Sequence, residues 1–250
     1  MTSVKTWIVA VAAAAVLCAV IGASYLSLPV LTAVVCVAAV VIGVGWPVLL
    51  EVPAKKTLSV VISLAGIATA VLATVAPSGM PLVWMAVVIA LGVMAVFLIQ
   101  LLRGTGQPHR LESTFGTSTG LVLTSLGAGW VAAERLAANA ANTGMMLVTG
   151  ISMLVAIGVC LLPWPDRIVA PLGVVLATLA GTLAAPLFSN VPMLAAAVVG
   201  AVVGVILVCF RRLILAGGGP TRFSAMLAAG AAPVMAAGSL VYFLERMLLS

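Results

Sequence analysis

The chain has 250 residues, of which 64% are apolar and only 6% are charged, and its formal net charge is +6. A soluble domain carries about 25% charged residues, so this composition excludes a soluble globular protein and predicts a polytopic membrane protein in contact with membrane lipids. The basic residues lie in short segments between apolar runs, where they orient the chain in a membrane. Nucleic acid is therefore not an expected partner.

Apolar runs of about 20 residues, bounded by charges, Pro or Gly, predict an all-α fold with nine transmembrane helices. The nine predicted helices cover residues 6–24, 28–50, 57–76, 81–102, 113–134, 142–162, 168–188, 191–212 and 223–245. Ala-, Val- and Gly-rich spans of this kind are typical of a bacterial genome of high GC content. The four cysteines lie inside these runs without metal-ligand spacing.

The positions of the basic residues predict the orientation of the chain. With the N-terminus in the cytoplasm, nine of the 11 Lys and Arg residues lie on the cytoplasmic side: Lys5, Lys55, Lys56, Arg103, Arg110, Arg167, Arg211, Arg212 and Arg222. Only Arg135 and Arg246 then lie outside. Cytoplasmic loops carry an excess of Lys and Arg, so we expect a multi-pass protein of the cell membrane with its C-terminus outside.

Two rare dipeptides indicate an internal repeat within a single membrane domain, residues 1–250. Each dipeptide occurs twice, at the ends of corresponding predicted helices: Glu134-Arg135 and Glu245-Arg246, and Trp46-Pro47 and Trp164-Pro165. A repeat of four helices returns the chain to the same side of the membrane, which makes the two copies parallel. We therefore predict an extra N-terminal helix in 1–27, a first repeat in 28–138 and a second in 139–250.

The polar residues give little support for catalysis. No predicted helix has an ionisable residue at its centre, and the acids lie at helix ends, where we expect Glu134 and Glu245 to pair with the adjacent arginines. The single histidine, His109, has no second ligand at metal-binding spacing. We therefore predict that the protein is not an enzyme and holds no metal or cofactor.

The predicted fifth helix is the most polar transmembrane segment. On a period of 3.6 residues, one face carries small and hydroxylated residues: Ser113, Thr117, Gly120, Thr124 and Gly127. Such a face either packs closely against another helix or forms the wall of a polar cavity. A dry, tightly packed interface at Thr117 and Thr124 favours the first alternative, and a hydrated cavity favours the second.

Pro233 interrupts the predicted ninth helix near its middle, and a proline inside a helix removes a backbone hydrogen bond. Interruptions at corresponding places in two halves are a pointer to a transport site. We therefore predict a substrate site between the fifth and ninth helices, formed by Ser113, Thr117, Gly120, Thr124 and Pro233. A substrate site at this place indicates a permease, or a transporter of lipids or small solutes. The alternative is a non-catalytic membrane subunit or scaffold that binds a protein partner in the membrane.

Overall fold

The computed structural model describes residues 3–52, 55–77, 79–102, 110–140 and 144–249. Helices account for 86% of the structure, and the described residues contain no strand. The helices are α1 (Ser3–Ser24), α2 (Leu28–Leu49), α3 (Lys55–Val75), α4 (Met85–Leu102), α5 (Arg110–Leu126), α6 (Ala128–Ala140), α7 (Met145–Cys160), α8 (Asp166–Phe188), α9 (Met193–Ala216) and α10 (Phe223–Leu249). The all-α prediction is confirmed.

Seven of these helices are long and apolar enough to cross a membrane: α1, α2, α3, α4, α8, α9 and α10. The helix α7 is apolar too, but it has only 16 residues. A helix rises 1.5 Å per residue, so the seven long helices match the apolar thickness of a bilayer. The protein is therefore compatible with a polytopic membrane protein, as its composition predicts.

The predicted fifth helix is not one helix, which corrects the interpretation of residues 113–134. It is broken at Gly127 into α5 and α6. The Gly127 N–H donates to the carbonyl of Thr124 at 3.2 Å, a turn tighter than an α-helix. A Cβ at residue 127 would lie 2.6 Å from the sulfur of Met235, so the Met235 side chain of α10 packs directly against the break. Each of the other eight predicted helices coincides with one observed helix.

The helix α10 forms the centre of the bundle. It packs on α1, α2, α5, α6 and α9, and most of its residues are buried, whereas α4 at the periphery is mostly exposed. Alanine and glycine on α10 permit these contacts: a Cβ at Gly230 would lie 2.8 Å from the Cβ of Ala12 on α1. The indole N–H of Trp130 on α6 donates to the carbonyl of Val234 at 2.9 Å. Small residues thus let α10 pack against neighbours on several sides.

The bundle has two polar ends, which we name by one residue each. At the Asp166 end, where α8 begins and α9 ends, Asp166 forms ion pairs with Arg211 and, at 2.7 Å, with Arg212. At the Glu245 end, where α3, α6 and α10 end, Arg135 donates to the carbonyls of Ala73 at 2.6 Å and Ala76 at 2.9 Å. These carbonyls lack helical partners at the end of α3, so Arg135 caps that helix.

Candidate functional site

The small face of α5 packs against Trp46 of α2, in a contact that we call the Trp46 interface. The indole N–H of Trp46 donates to the carbonyl of Gly116 at 2.9 Å. A Cβ at Gly120 would lie 2.6 Å from Nε1 of the same indole, which is closer than side chains approach. Gly120 is therefore the recess into which the largest side chain of α2 fits.

The hydroxyl groups of this face are buried and already have partners. Thr117 donates to the carbonyl of Ser113 at 2.7 Å, one turn earlier in the same helix. Thr124 donates to the carbonyl of Leu121 at 2.9 Å and lies 3.3 Å from that of Ile62 on α3. The Ser113 hydroxyl accepts a hydrogen bond from the Gln100 amide at 2.8 Å. Satisfied, buried hydroxyls of this kind are typical of contacts between membrane helices.

Pro233 lies elsewhere, at a cleft between α1, α7, α9 and α10. The cleft has a volume of about 380 Å³ and lies toward the Asp166 end, where its lining includes Arg211 and the connection 161–164. Neither this cleft nor the second cavity, beside Glu51 and Gly218, is lined by the four α5 residues of the predicted site. The structure thus places Gly120 at the Trp46 interface, Ser113 beside Gln100 and Thr124 beside Ile62. Pro233 borders the cleft.

The cleft exists because α7 is short. Its 16 residues rise about 24 Å, whereas the 24 residues of the neighbouring α9 rise about 36 Å. After Cys160 the chain leaves the helix and turns through a segment with two prolines, Pro163 and Pro165. Proline removes a backbone donor and disfavours a helical conformation of the residue before it. The space beside α1 and α9 is therefore left partly empty near the Asp166 end.

The walls of the cleft are mostly apolar, with polar groups at a few positions. Leu207 and Phe210 of α9 and Ala10 of α1 line it, together with the side chains of Thr6 and Arg211. A further polar group comes from the backbone: Pro233 has no N–H, so the carbonyl of Ala229, one turn earlier, loses its usual α-helical donor. Such a surface can hold a molecule with a hydrocarbon part and a polar part.

Two tryptophans stand at the rim of the cleft. Trp7 is 55% exposed and Trp164 is 50% exposed, and both belong to the cleft lining. Trp is enriched at the boundary between lipid and water, and the basic and acidic residues of the Asp166 end lie close by along the chain. Two half-exposed indoles at the rim are therefore typical of a boundary between lipid and water.

A second unusual group, which sequence reasoning interpreted differently, lies at the Glu245 end. The side chain of Glu245 is only 1% exposed, and its Oε2 has no hydrogen-bond partner among the described residues. The hydrogen bonds of the Arg135 guanidinium go to the C-terminal carbonyls of α3 and not to Glu245. The expectation that the helix-end acids are interfacial residues paired with adjacent arginines is thus wrong for the Glu245 Oε2. The signal available in the sequence was the rarity of the Glu-Arg dipeptides.

The cysteines and acids give no sign of a metal centre in the part of the chain that the structure describes. All four cysteines are free, and the described residues contain no group of three or more His, Cys, Asp or Glu side chains that could hold a metal ion. His109 lies outside the described residues. Comparisons of the chain with known protein families, with curated proteins and with solved structures find no match.

Proposed function

We propose that the protein is a permease that moves an amphipathic, lipid-like solute through the cleft between α1, α7, α9 and α10. The observation that carries this proposal is the cleft itself, with its volume of about 380 Å³ and its mostly apolar lining. Binding sites for small molecules have volumes of about 300–1,000 Å³ and combine apolar walls with a few polar groups. The proposed route thus lies beside Pro233 rather than along the face of α5.

The residues of the cleft suggest how such a solute is held. Its hydrocarbon part would lie against Leu207 and Phe210. Transfer of apolar surface from water to such apolar side chains is favourable. Its polar part would lie near Arg211, whose ion pair with Asp166 is shared with Arg212. Two cations and one anion leave a net positive charge there, which favours a polar or negatively charged headgroup.

The proline within α10 supports bending of this helix beside the cleft. A proline inside a helix leaves one carbonyl unpaired and permits a bend, and Pro233 borders the cleft directly. Bending of α10 at Pro233 would change the width of the cleft without unfolding either half of the helix. This is the step that we assign to α10 in transport.

We also propose nine membrane crossings, with α5 and α6 together forming one crossing, the N-terminus in the cytoplasm and the C-terminus outside. The unequal distribution of basic residues supports this orientation. In a variant without the four native cysteines, Ser189→Cys should react with an impermeant thiol reagent added outside intact cells, and Gly218→Cys should not. The reverse pattern would contradict the orientation.

The parallel duplication of 28–138 and 139–250 remains a proposal as well. Two of its landmarks, Glu134 and Glu245, lie near each other on α6 and α10, which supports equal orientation of the two repeats. The other two landmarks, Trp46 and Trp164, lie in different environments: Trp46 is buried and Trp164 is half exposed. The two repeats should superpose by a half-turn about the membrane normal in the protein reconstituted in lipid and imaged by cryo-electron microscopy. An inverted superposition would exclude the duplication.

A membrane subunit that docks on another protein is the second candidate, and α4 is the observation that favours it. This helix packs mainly on α3 and α5, and its other face exposes large apolar side chains, among them Leu91, Met94 and Phe97. Lipid alone can cover such a face, and so can a partner helix. Loss of function on changing α4, with no effect of changes in the cleft, would favour the subunit.

The test of transport is a comparison of the lipids and metabolites of cells with and without the gene. Ala10→Phe places a ring in the cleft, and Ala15→Phe places the same ring on the exposed side of α1. We expect the gene with Ala15→Phe to restore the normal composition and the gene with Ala10→Phe to fail at equal protein abundance. Full restoration by Ala10→Phe would contradict transport through the cleft.

A further inference from the structure

The carboxyl group of Glu245 is the most unusual buried group in the described structure. Its side chain is 1% exposed, and its Oε2 has no hydrogen-bond partner in the part of the chain that the structure describes. It lies in α10, within the stretch Phe223–Leu248 that is long and apolar enough to cross a membrane. A buried carboxylate without compensating hydrogen bonds is unstable, so this position demands a physical explanation.

The charged and titratable groups around Glu245 are few. From α6 they are Glu134, whose charge acts on Glu245, and Arg135, which caps α3. From α10 they are Tyr242 and Arg246, where Arg246 donates to the Tyr242 hydroxyl at 3.1 Å. The sequence has no Asp, Glu, Lys, Arg or His in 6–50, 57–102, 136–165 or 168–210. The titratable side chains in these ranges are only Tyr25 and the four cysteines.

The negative charge of Glu134 makes the surroundings of Glu245 less favourable for a second negative charge. Two carboxylates that share a poorly hydrated site repel each other, and a proton on one of them removes the repulsion. A protonated carboxyl is also neutral, so its burial costs much less than that of a carboxylate. A proton is thus the ligand that the burial, the unpaired oxygen and the neighbouring acid all favour.

We propose that Glu245, with Glu134 beside it, forms a reversible proton-binding site whose occupancy controls how closely α6 packs on α10. The site stands whether or not the cleft carries a solute. Its ligand is a hydrogen ion from the aqueous phase at the Glu245 end. Deprotonation would leave two neighbouring carboxylates on adjacent helices, and their repulsion would act directly on the contact between α6 and α10.

The contact between α6 and α10 is suited to transmit this change. The backbone of Gly238 and Ser239 approaches Gly129 so closely that a Cβ at residue 129 would overlap it. The Ser239 hydroxyl donates to the carbonyl of Leu126, just before the break between α5 and α6, at 2.8 Å. Separation of the two helices at Glu245 would therefore strain hydrogen bonds that begin less than two turns away along α10.

Dicyclohexylcarbodiimide, an apolar reagent, reports a protonated carboxyl in an apolar site. The acid adds across one C=N bond: its proton goes to nitrogen and its oxygen bonds to carbon, after which the acyl group migrates to nitrogen. No group leaves, so the N-acylurea product has the summed mass of both reactants. In the full chain, purified and placed in phosphatidylcholine vesicles, we expect mass spectrometry to locate this product at Glu245, with a yield that falls as the pH rises.

Variants identify the groups responsible. Glu245→Gln should abolish the product, and Glu134→Gln should move the midpoint of the pH profile to lower pH, since it removes the charge that favours the proton. Glu112→Gln, at the start of α5, is the matched control and should leave the midpoint unchanged. The wild-type measurement needs no variant, so failure of a variant to fold does not affect it.

Infrared spectroscopy of the same vesicles decides the outcome if the reagent does not reach the carboxyl. The wild-type protein should convert one buried carboxylic acid to a carboxylate as the pH rises, and Glu134→Gln should convert it at lower pH. A Glu245 product whose yield is independent of pH would contradict the proposal. So would an infrared spectrum in which Glu245 stays in one protonation state from about pH 5 to about pH 9, a range wide enough to include strongly perturbed carboxyls.

Discussion

The Trp46 interface and the cleft are both bordered by small residues, and yet one is filled and the other is open. In the interface, the indole of Trp46 occupies the space that Gly120 leaves free and bonds to the backbone of Gly116. In the cleft, the chain ends α7 early and Trp164 stays at the rim, half exposed. Small residues alone therefore do not make a cavity: what matters is whether a large side chain on the facing element reaches them.

The largest effect on the filled region is expected from a substitution at Gly120. Gly120→Leu should prevent folding, because even its Cβ overlaps the Trp46 indole and overpacking of this kind costs about 3 kcal/mol or more. Size-exclusion chromatography of the detergent-solubilised protein should show aggregate instead of a single species. The control is Gly158→Leu on α7, where nothing lies within 4 Å of an added Cβ. A well-folded Gly120→Leu protein would mean that the interface is not tightly packed.

Substitution of Trp46 and of Trp164 should change the free energy of unfolding by less, and the pair compares the filled region directly with the open one. Trp46→Phe removes the 2.9 Å hydrogen bond to Gly116 and part of a buried side chain, and should lower the free energy of unfolding by about 1–3 kcal/mol. Trp164→Phe at the half-exposed rim should lower it by less than about 0.5 kcal/mol. Thermal unfolding followed by near-ultraviolet circular dichroism measures both. Equal losses would remove the distinction between filled and open regions.

Loss of the hydroxyl groups of α5 should have a smaller effect than loss of the Trp46 indole. Thr117→Val and Thr124→Val keep the shape of the side chain and remove hydrogen bonds to backbone carbonyls, so each should cost about 0.6 kcal/mol, the average for hydrogen bonds between membrane helices. Thr119→Val, on the exposed face of the same helix, is the control. The transport-linked lipid composition should be normal in all three. A loss of function at normal abundance in the first two would instead place the substrate along α5.

The sequence allowed the fold class to be predicted because composition and the lengths of apolar runs depend on local physics. Eight predicted helices coincide with observed ones, but the break at Gly127 could not be predicted from α5 itself. At the break, Gly127 faces Met235 of α10, which is distant in the sequence. Glycine in a helical pattern is compatible with both a continuous helix and a break, so the residues of this segment alone do not distinguish the two.

The candidate site was only partly predictable, because it too depends on contacts between helices that are distant in the sequence. The stripe on α5 left packing and cavity open, because the sequence does not tell which side chain faces Gly120. Pro233 was a useful signal, since a missing N–H is a property of the residue itself. The cleft beside it depends on the length of α7 relative to α9, and the burial of Glu245 depends on the position of α6. Neither follows from the residues that line the site.

The most direct test of the account is to ask whether the cleft holds an amphipathic molecule. Native mass spectrometry of the purified wild-type protein should detect a bound lipid-like molecule. The same species should be present with Ala15→Phe, whose ring lies on the exposed side of α1, and lost with Ala10→Phe, whose ring lies in the cleft. Equal retention by both variants, or a wild-type protein without any bound amphiphile after extraction in mild detergent, would contradict the assignment of the cleft as the binding site.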